Sequence, residues 1–254
     1  MEFRLKVREP SSRQTTIQKK SGNGYQGWHR FGNDRNNCKL ITHQNMKKNY
    51  LLILTIIGLS FVISIYLYPK MPSKVAFHWN YKGEVDRYAS KFWGLFLMPF
   101  LSIIMFVLFI LIPKIDPLKN NIKKFKSFFD TFVILFTLFL FYLYLLTIFW
   151  NLGRRFNVVL SLVPAFFLLF YYIGILLEKT HRNYFIGIRT PWTLSSDRVW
   201  NKTNRFGGKL FKIAAIIGLL GVVWTNYALL LAIIPIVVAS ICVVIYSYYE
   251  STRD

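Results

Sequence analysis

Residues 50–68 read YLLILTIIGLSFVISIYLY, a run without one charged side chain. About 20 such residues cross about 30 Å of hydrocarbon as a helix. A run of this kind leaves little choice of fold, because the bilayer core offers no water to an unpaired backbone N–H or C=O. Five more blocks are of this kind or close to it: residues 92–112, 131–150, 156–177, 213–224 and 227–249. The fifth reaches span length only with Leu210 and Phe211 included. No alternating ten-residue pattern of a membrane barrel is present. The runs predict an all-α membrane protein with six transmembrane helices. Pro99, Pro164 and Pro235 fall inside blocks and predict local kinks. Tyr66, Tyr68, Trp93, Trp150 and Trp224 stand near block ends, where aromatic side chains suit the headgroup region.

A net charge of +21 would point to nucleic acid in a soluble chain. Here the cations stand in the gaps between apolar blocks, so the partner they imply is the lipid bilayer, and no direct nucleic-acid partner is expected. Their distribution is lopsided. Residues 1–48 hold eleven Lys and Arg, residues 113–127 five, residues 178–212 eight and the tail one. The alternate gaps hold five in residues 69–91, two at Arg154 and Arg155, and none at residues 225–226. The positive-inside rule then predicts a multi-pass protein of the cytoplasmic membrane with both termini inside. Setting residues 1–45 aside does not reverse the bias.

Residues 1–45 are polar and basic with no periodic apolar face, which predicts a disordered extension. From Met46 the text becomes MKKNYLLILTIIGLS, the way a bacterial inner-membrane protein commonly begins. We expect Met46 to be the native start and residues 1–45 to come from an upstream start assignment. The other reading of them is a basic cytoplasmic tail on lipid headgroups. Residues 46–127 then hold the first span, an extracytoplasmic loop, the second span and a basic loop. Residues 128–254 hold four spans and a cytoplasmic loop at 178–209. Cys38 and Cys242 fall in different surroundings and predict no disulfide.

The cores of the six blocks contain no Asp, Glu, Lys, Arg or His, and Asp130 sits at the edge of the third. Buried ionisable groups mark proton relays and ion paths. Their absence from these blocks argues against a proton-coupled transporter or an intramembrane hydrolase. In the first outer loop Val75, Ala76 and Phe77 suit a short strand, and residues 80–83 a turn with Gly83 at positive φ. His78, Glu84 and Asp86 lack the spacing of a metal motif, and no nucleophile accompanies His78. We expect no catalytic residue, no metal, no cofactor and no enzyme activity.

The loop GIRTPWTLSSDRVWNKTNRFGG, residues 187–208, is too polar to cross a bilayer. Pro191 biases Thr190 toward an extended backbone. Ser195 or Ser196 suits a helix cap, with Asp197 in the first turn. Val199, Trp200, Thr203 and Phe206 then share one face, and Arg198, Lys202 and Arg205 another. This spacing predicts an interfacial amphipathic helix before helix 5, ended by Gly207 and Gly208, with Trp192 and Trp200 at headgroup depth.

Two sets of residues together resemble one family. Met71-Pro72, His78-Trp79-Asn80, Gly83, Asp86 and Ser90-Lys91 follow the order of its amino-terminal pattern. Gly187 to Arg205 is similar to its carboxy-terminal signature, carried by Gly187, Arg189, Thr190, Pro191, Trp192, Trp200, Asn204 and Arg205. On these residues the chain is identified as a member of the SdpI family over about residues 46–249. The resemblance implies an immunity protein of the cytoplasmic membrane. The family's namesake protects its producer from a secreted, membrane-active peptide, the sporulation-delaying toxin, and recruits a small winged-helix repressor. The resemblance implies candidate toxin or partner contacts at the residues of both patterns and supplies no catalytic residue. Two other classes stay open: a transporter or pore for a small molecule or peptide, and a regulatory membrane protein without a toxin partner.

Overall fold

The structure, a computed structural model, describes residues Lys47–Arg253. The expectations for residues 1–45 and for Met46 as a start lie outside the described residues. Helix α1 spans Lys47–Lys70 and closes on a 3-10 turn at Tyr68–Lys70, where Pro69 ends the regular hydrogen bonding. Strands β1 (Lys74–Trp79) and β2 (Val85–Ser90) follow. Then come α2 (Lys91–Ile115), a short α3 (Lys119–Lys124), α4 (Lys126–Asn151) and α5 (Val158–Lys179). The five-residue α6 (Pro191–Ser195) leads into α7 (Asp197–Leu219), and α8 (Ala228–Ser251) ends the fold.

Among the described residues, five helical stretches are long and apolar enough to cross a membrane: α1, α2, α4, α5 and Thr225–Ser251, which contains α8. The sequence predicts six. The difference lies in α7. Its amino-terminal half is the polar signature stretch and its carboxy-terminal half is the fifth apolar block, so the helix as a whole is less apolar than the other five. The expected interfacial helix ended by glycines is therefore corrected: α7 runs unbroken through Gly207 and Gly208. A glycine pair is a stop signal by local preference, and here tertiary contact overrides it. A Cβ on Gly208 would lie 2.5 Å from the Gly174 carbonyl oxygen. The glycines thus allow α7 to approach α5 backbone to backbone, as small residues do between membrane helices.

The described chain is mostly helical, and strand is confined to the outer loop, where the sequence suits one at Val75–Phe77. The loop after α1 is an antiparallel hairpin of β1 and β2, with register irregularities around His78. Valine and aromatic residues favour the strands, and the Asn80–Gly83 turn joins them. Val75 and Ala76 are both buried. Kinks are invited by Pro99, Pro164 and Pro235, each of which lies inside a helix.

Helix α7 lies between α5 and α8, and α4 packs against both α2 and α5. One apolar cluster, with Met71, Val75, Leu95, Tyr144 and Ile148, stands under the hairpin. A second, with Ile53, Phe106, Ile122, Phe125, Phe129 and Ile186, joins α1, α2, α3 and α4 to the loop after α5. Between the clusters Tyr144 donates to the Ser60 carbonyl at 3.1 Å and bonds to Ser64 Oγ at 2.8 Å, tying α4 to α1. Helix α7 follows α5 along its length: Arg182 pairs with Asp197 at one end, and Leu219 packs near Val159 and Val163 at the other.

Candidate functional site

The two sets of motif residues occupy opposite ends of the bundle. At the hairpin end, Asn80 builds the turn. Its side-chain oxygen accepts from the Lys82 and Glu84 amides at 2.9 and 3.0 Å, and its amide group donates to Glu84 at 3.0 Å. Gly83 takes φ +81°, and a Cβ there would stand 2.8 Å from the Asn157 side-chain oxygen. A glycine is required on both counts. Asn151, at the end of α4, clamps β1: it accepts from the Ala76 amide at 2.8 Å and donates to the Ala76 carbonyl at 2.9 Å. Lys91 opens α2, its amide donating to Ser73 and its ammonium 5.3 Å from the Tyr68 ring centroid.

His78 Nδ1 donates to Asp86 Oδ1 at 2.6 Å across the strands, and both side chains are exposed. This hydrogen bond holds the Asp86 carboxyl below its ordinary value. A carboxyl depressed on folding stabilises the fold fully above its unfolded value, and the contribution fades as pH falls through the lower folded value. Hydrogen exchange of residues 74–90, corrected for intrinsic rate, should therefore quicken on acidification below the ordinary carboxylate range. Asp86→Asn should flatten that response, and an unchanged response would remove the pair from the account. Glu84 turns to Asn80 and away from this pair. Among the described residues no three His, Cys, Asp or Glu side chains converge as metal ligands would.

Trp79 ends β1. Its ring meets Trp150 edge-on at 5.7 Å, and the Arg155 guanidinium lies 3.6 Å from the Trp150 centroid. Beneath the hairpin, β1 and helices α2, α4 and α5 line an open cleft of about 230 Å³. Phe77, His78 and Trp79 form its hairpin wall, and Leu143, Leu146 and Leu162 are among the helical residues opposite. The Trp79 Nε1 is shielded and finds no acceptor among the described residues.

At the other end, the loop after α5 is held by internal polar bonds. Asn183 is buried; it donates to the His181 and Ile186 carbonyls and accepts from the Phe185 and Ile186 amides. Asp116, also buried, accepts from the Leu118 amide at 2.6 Å and the Tyr184 amide at 2.8 Å, so it joins the loop after α2 to the loop after α5. Gly187 takes φ +118° in contact with Trp200 and Asn204. Asn204 is buried and accepts from the Ile188 amide at 2.9 Å. Thr190 caps α6 in a reciprocal capping box with Thr193, and Ser196 caps α7. Arg182 donates to the Leu194 carbonyl at 3.0 Å. Glu250, buried near the end of α8, takes Arg198 at 2.7 Å and Lys202 at 2.6 Å.

Residues 179–248 match the model of the SdpI/YfhL protein family. Residues 55–103, which contain the hairpin, match a domain of unknown function, DUF1648. The chain is 28% identical over 207 residues to the protein named Immunity protein SdpI of Bacillus subtilis (strain 168), covering 80% of this chain and 96% of that one. The chain is SdpI-like. No solved structure matches it. Together with its apolar helices, this similarity makes it a multi-pass membrane protein.

Most of the SdpI signature holds the loop together. Trp200 is fully buried, and its Nε1 donates to the Thr180 carbonyl at 3.3 Å. That corrects the expectation of a headgroup anchor: the apolar face of α7 meets protein where lipid was expected. Trp192 is half-buried against Tyr248, ring centres 5.1 Å apart. Arg189 is exposed and spends one donor on the Tyr184 carbonyl at 2.6 Å. Pro191 and Arg205 are exposed. The hairpin set and the signature set do not come together. Sequence reasoning missed Asp116, Asn151, Asn183 and Glu250. Asp116 and Glu250 carry a faint signal as rare acids in a strongly basic chain; the two asparagines carry none.

Proposed function

We propose that this chain is an integral-membrane immunity protein that protects the cell from a secreted, membrane-active peptide. The observation that carries the reading is the similarity to Immunity protein SdpI over nearly all of that protein's length. We take the chain to cross the membrane six times, with the hairpin outside and both termini and the signature loop in the cytoplasm. Two observations support the sixth crossing and the orientation. Helix α7 runs beside α5, itself of span length and composition, from the Arg182–Asp197 pair to the Leu219 contact. The Lys and Arg excess lies at the signature-loop end.

The hairpin end then faces an arriving peptide. A second role, recruitment of a small winged-helix repressor, is favoured by Arg189 and Arg205, two exposed cations of the signature loop. Expression from Met46 in a host sensitive to the sporulation-delaying peptide tests the main reading, through survival. The same strain carrying Arg189→Ala separates the two roles: survival is kept and the repressor leaves the membrane fraction.

A further inference from the structure

We infer that the turn between α4 and α5 binds an anionic phospholipid, with Arg154 on its phosphate and an acyl chain along Leu146, Phe149 and Phe156. The inference goes beyond the immunity reading and does not depend on it. Three observations carry it.

The first is that one groove joins two chemistries. The end of α4 and the start of α5 line a shallow groove of about 520 Å³, formed by Leu146, Phe149, Phe156 and Ser161 together with Arg154. Phe149 is exposed there. Both helices are of span length and composition, so their joined ends stand where hydrocarbon gives way to headgroups. Ser161 already gives its hydroxyl to the Asn157 carbonyl at 3.0 Å. Arg154 is left to supply the donors.

The second is construction. Helix α4 ends in a Schellman turn: the Gly153 amide donates to the Trp150 carbonyl and the Arg154 amide to the Phe149 carbonyl, each at 3.1 Å, with Gly153 at φ +94°. The residue after the left-handed glycine commonly lays an apolar side chain back on the last turn of the helix. Here that position is an arginine, beside an exposed phenylalanine. Capping needs no cation at Arg154, and the turn fixes its backbone before any ligand arrives.

The third is charge. Arg154 is exposed and pairs with no carboxylate among the described residues. The two acids of the hairpin are committed, Glu84 to Asn80 and Asp86 to His78. The neighbouring Arg155 lies over the Trp150 ring at 3.6 Å. A guanidinium stacked by its face keeps its in-plane N–H donors free. Two adjacent cations without a counter-anion favour a headgroup of net negative charge over a zwitterionic one. Free phosphate would meet the cations and leave the apolar floor bare. An uncharged acyl chain would do the reverse. An anionic phospholipid supplies both parts, in the order in which a bilayer holds them.

The test uses the full chain in nanodiscs doped with a phosphatidylglycerol that carries a diazirine high on one acyl chain. Cross-linked peptides are mapped by mass spectrometry, and labelling at residues 178–209 serves as internal reference. We expect labelling within residues 146–161, about fivefold above that from a phosphatidylcholine with the same diazirine. Arg154→Gln should lower it about tenfold, the worth of a hydrogen bond to a charged group, and leave the reference unchanged. Arg154→Lys keeps the charge and should keep more of the labelling. Phe149→Ala removes part of the apolar floor and should also lower it, a second reading should Arg154→Gln disturb the turn. Undiminished labelling in both Arg154→Gln and Phe149→Ala overturns the inference. So does equal labelling by the phosphatidylcholine probe. Loss of labelling on adding inorganic phosphate, at an ionic strength matched with chloride, would assign Arg154 to a free anion instead.

Discussion

Gly208→Val is expected to leave membrane insertion intact and to abolish the folded bundle. A Cβ at Gly208 meets the Gly174 carbonyl oxygen and the Glu178 Cγ, each at 2.5 Å, and a Cβ at Gly174 meets the Gly208 carbonyl oxygen at 2.6 Å. The obstruction is backbone on both sides, so no side-chain rotation relieves it. Overpacking a core costs about 1–3 kcal/mol where neighbours can shift. Here α5 and α7 must separate, and that opens the Glu178–Lys212 pair at 2.7 Å on the same crossing. The measurement is size-exclusion elution of the detergent-solubilised protein beside its abundance in the membrane fraction. A monodisperse Gly208→Val protein with wild-type thermal stability would show that the helices do not meet at these glycines.

Trp200→Ala is expected to cost about 3–5 kcal/mol of stability, the range for truncating a buried aromatic residue. The side chain is fully buried, touches Gly187, and gives its N–H to the Thr180 carbonyl. Its loss opens a cavity and frees the turn at Gly187, whose backbone sits at φ +118° against the indole ring. Denaturant titration in detergent micelles reads the effect. Trp200→Phe should recover much of it. A loss under about 1 kcal/mol in the alanine variant would mean that the indole lies at the surface, as the amphipathic pattern alone predicts.

What was legible follows from how each signal arises. The spans were legible because hydrocarbon demands long apolar runs, and α1, α2, α4, α5 and α8 fall close to the predicted blocks. The hairpin was legible in part: the Asn80–Gly83 turn and the Val75–Phe77 strand carry local preferences, while β2 does not stand out. In α7 the spacing of Val199, Trp200 and Thr203 marked one face correctly. It did not say whether lipid or protein would cover that face, since both are apolar. The glycines at 207 and 208 read as a terminator because capping is local, whereas the approach of α5, residues 158–179, is not. Among the motif residues, Trp79 was marked by the resemblance. The cleft it lines needs α4 and α5, about seventy residues downstream, which no local pattern connects. Asp116 and Asn183 matter through loop amides that only the fold brings near, and nothing in their neighbourhood announces it.

The central claim is protection at the membrane, and the membrane potential of living cells reads it most directly. A host sensitive to the sporulation-delaying peptide, expressing this chain from Met46, is challenged at a dose that depolarises the parent strain. The account predicts that the potential is held and that the cells survive. Depolarisation at the parental dose, with the protein verified in the membrane, would contradict it.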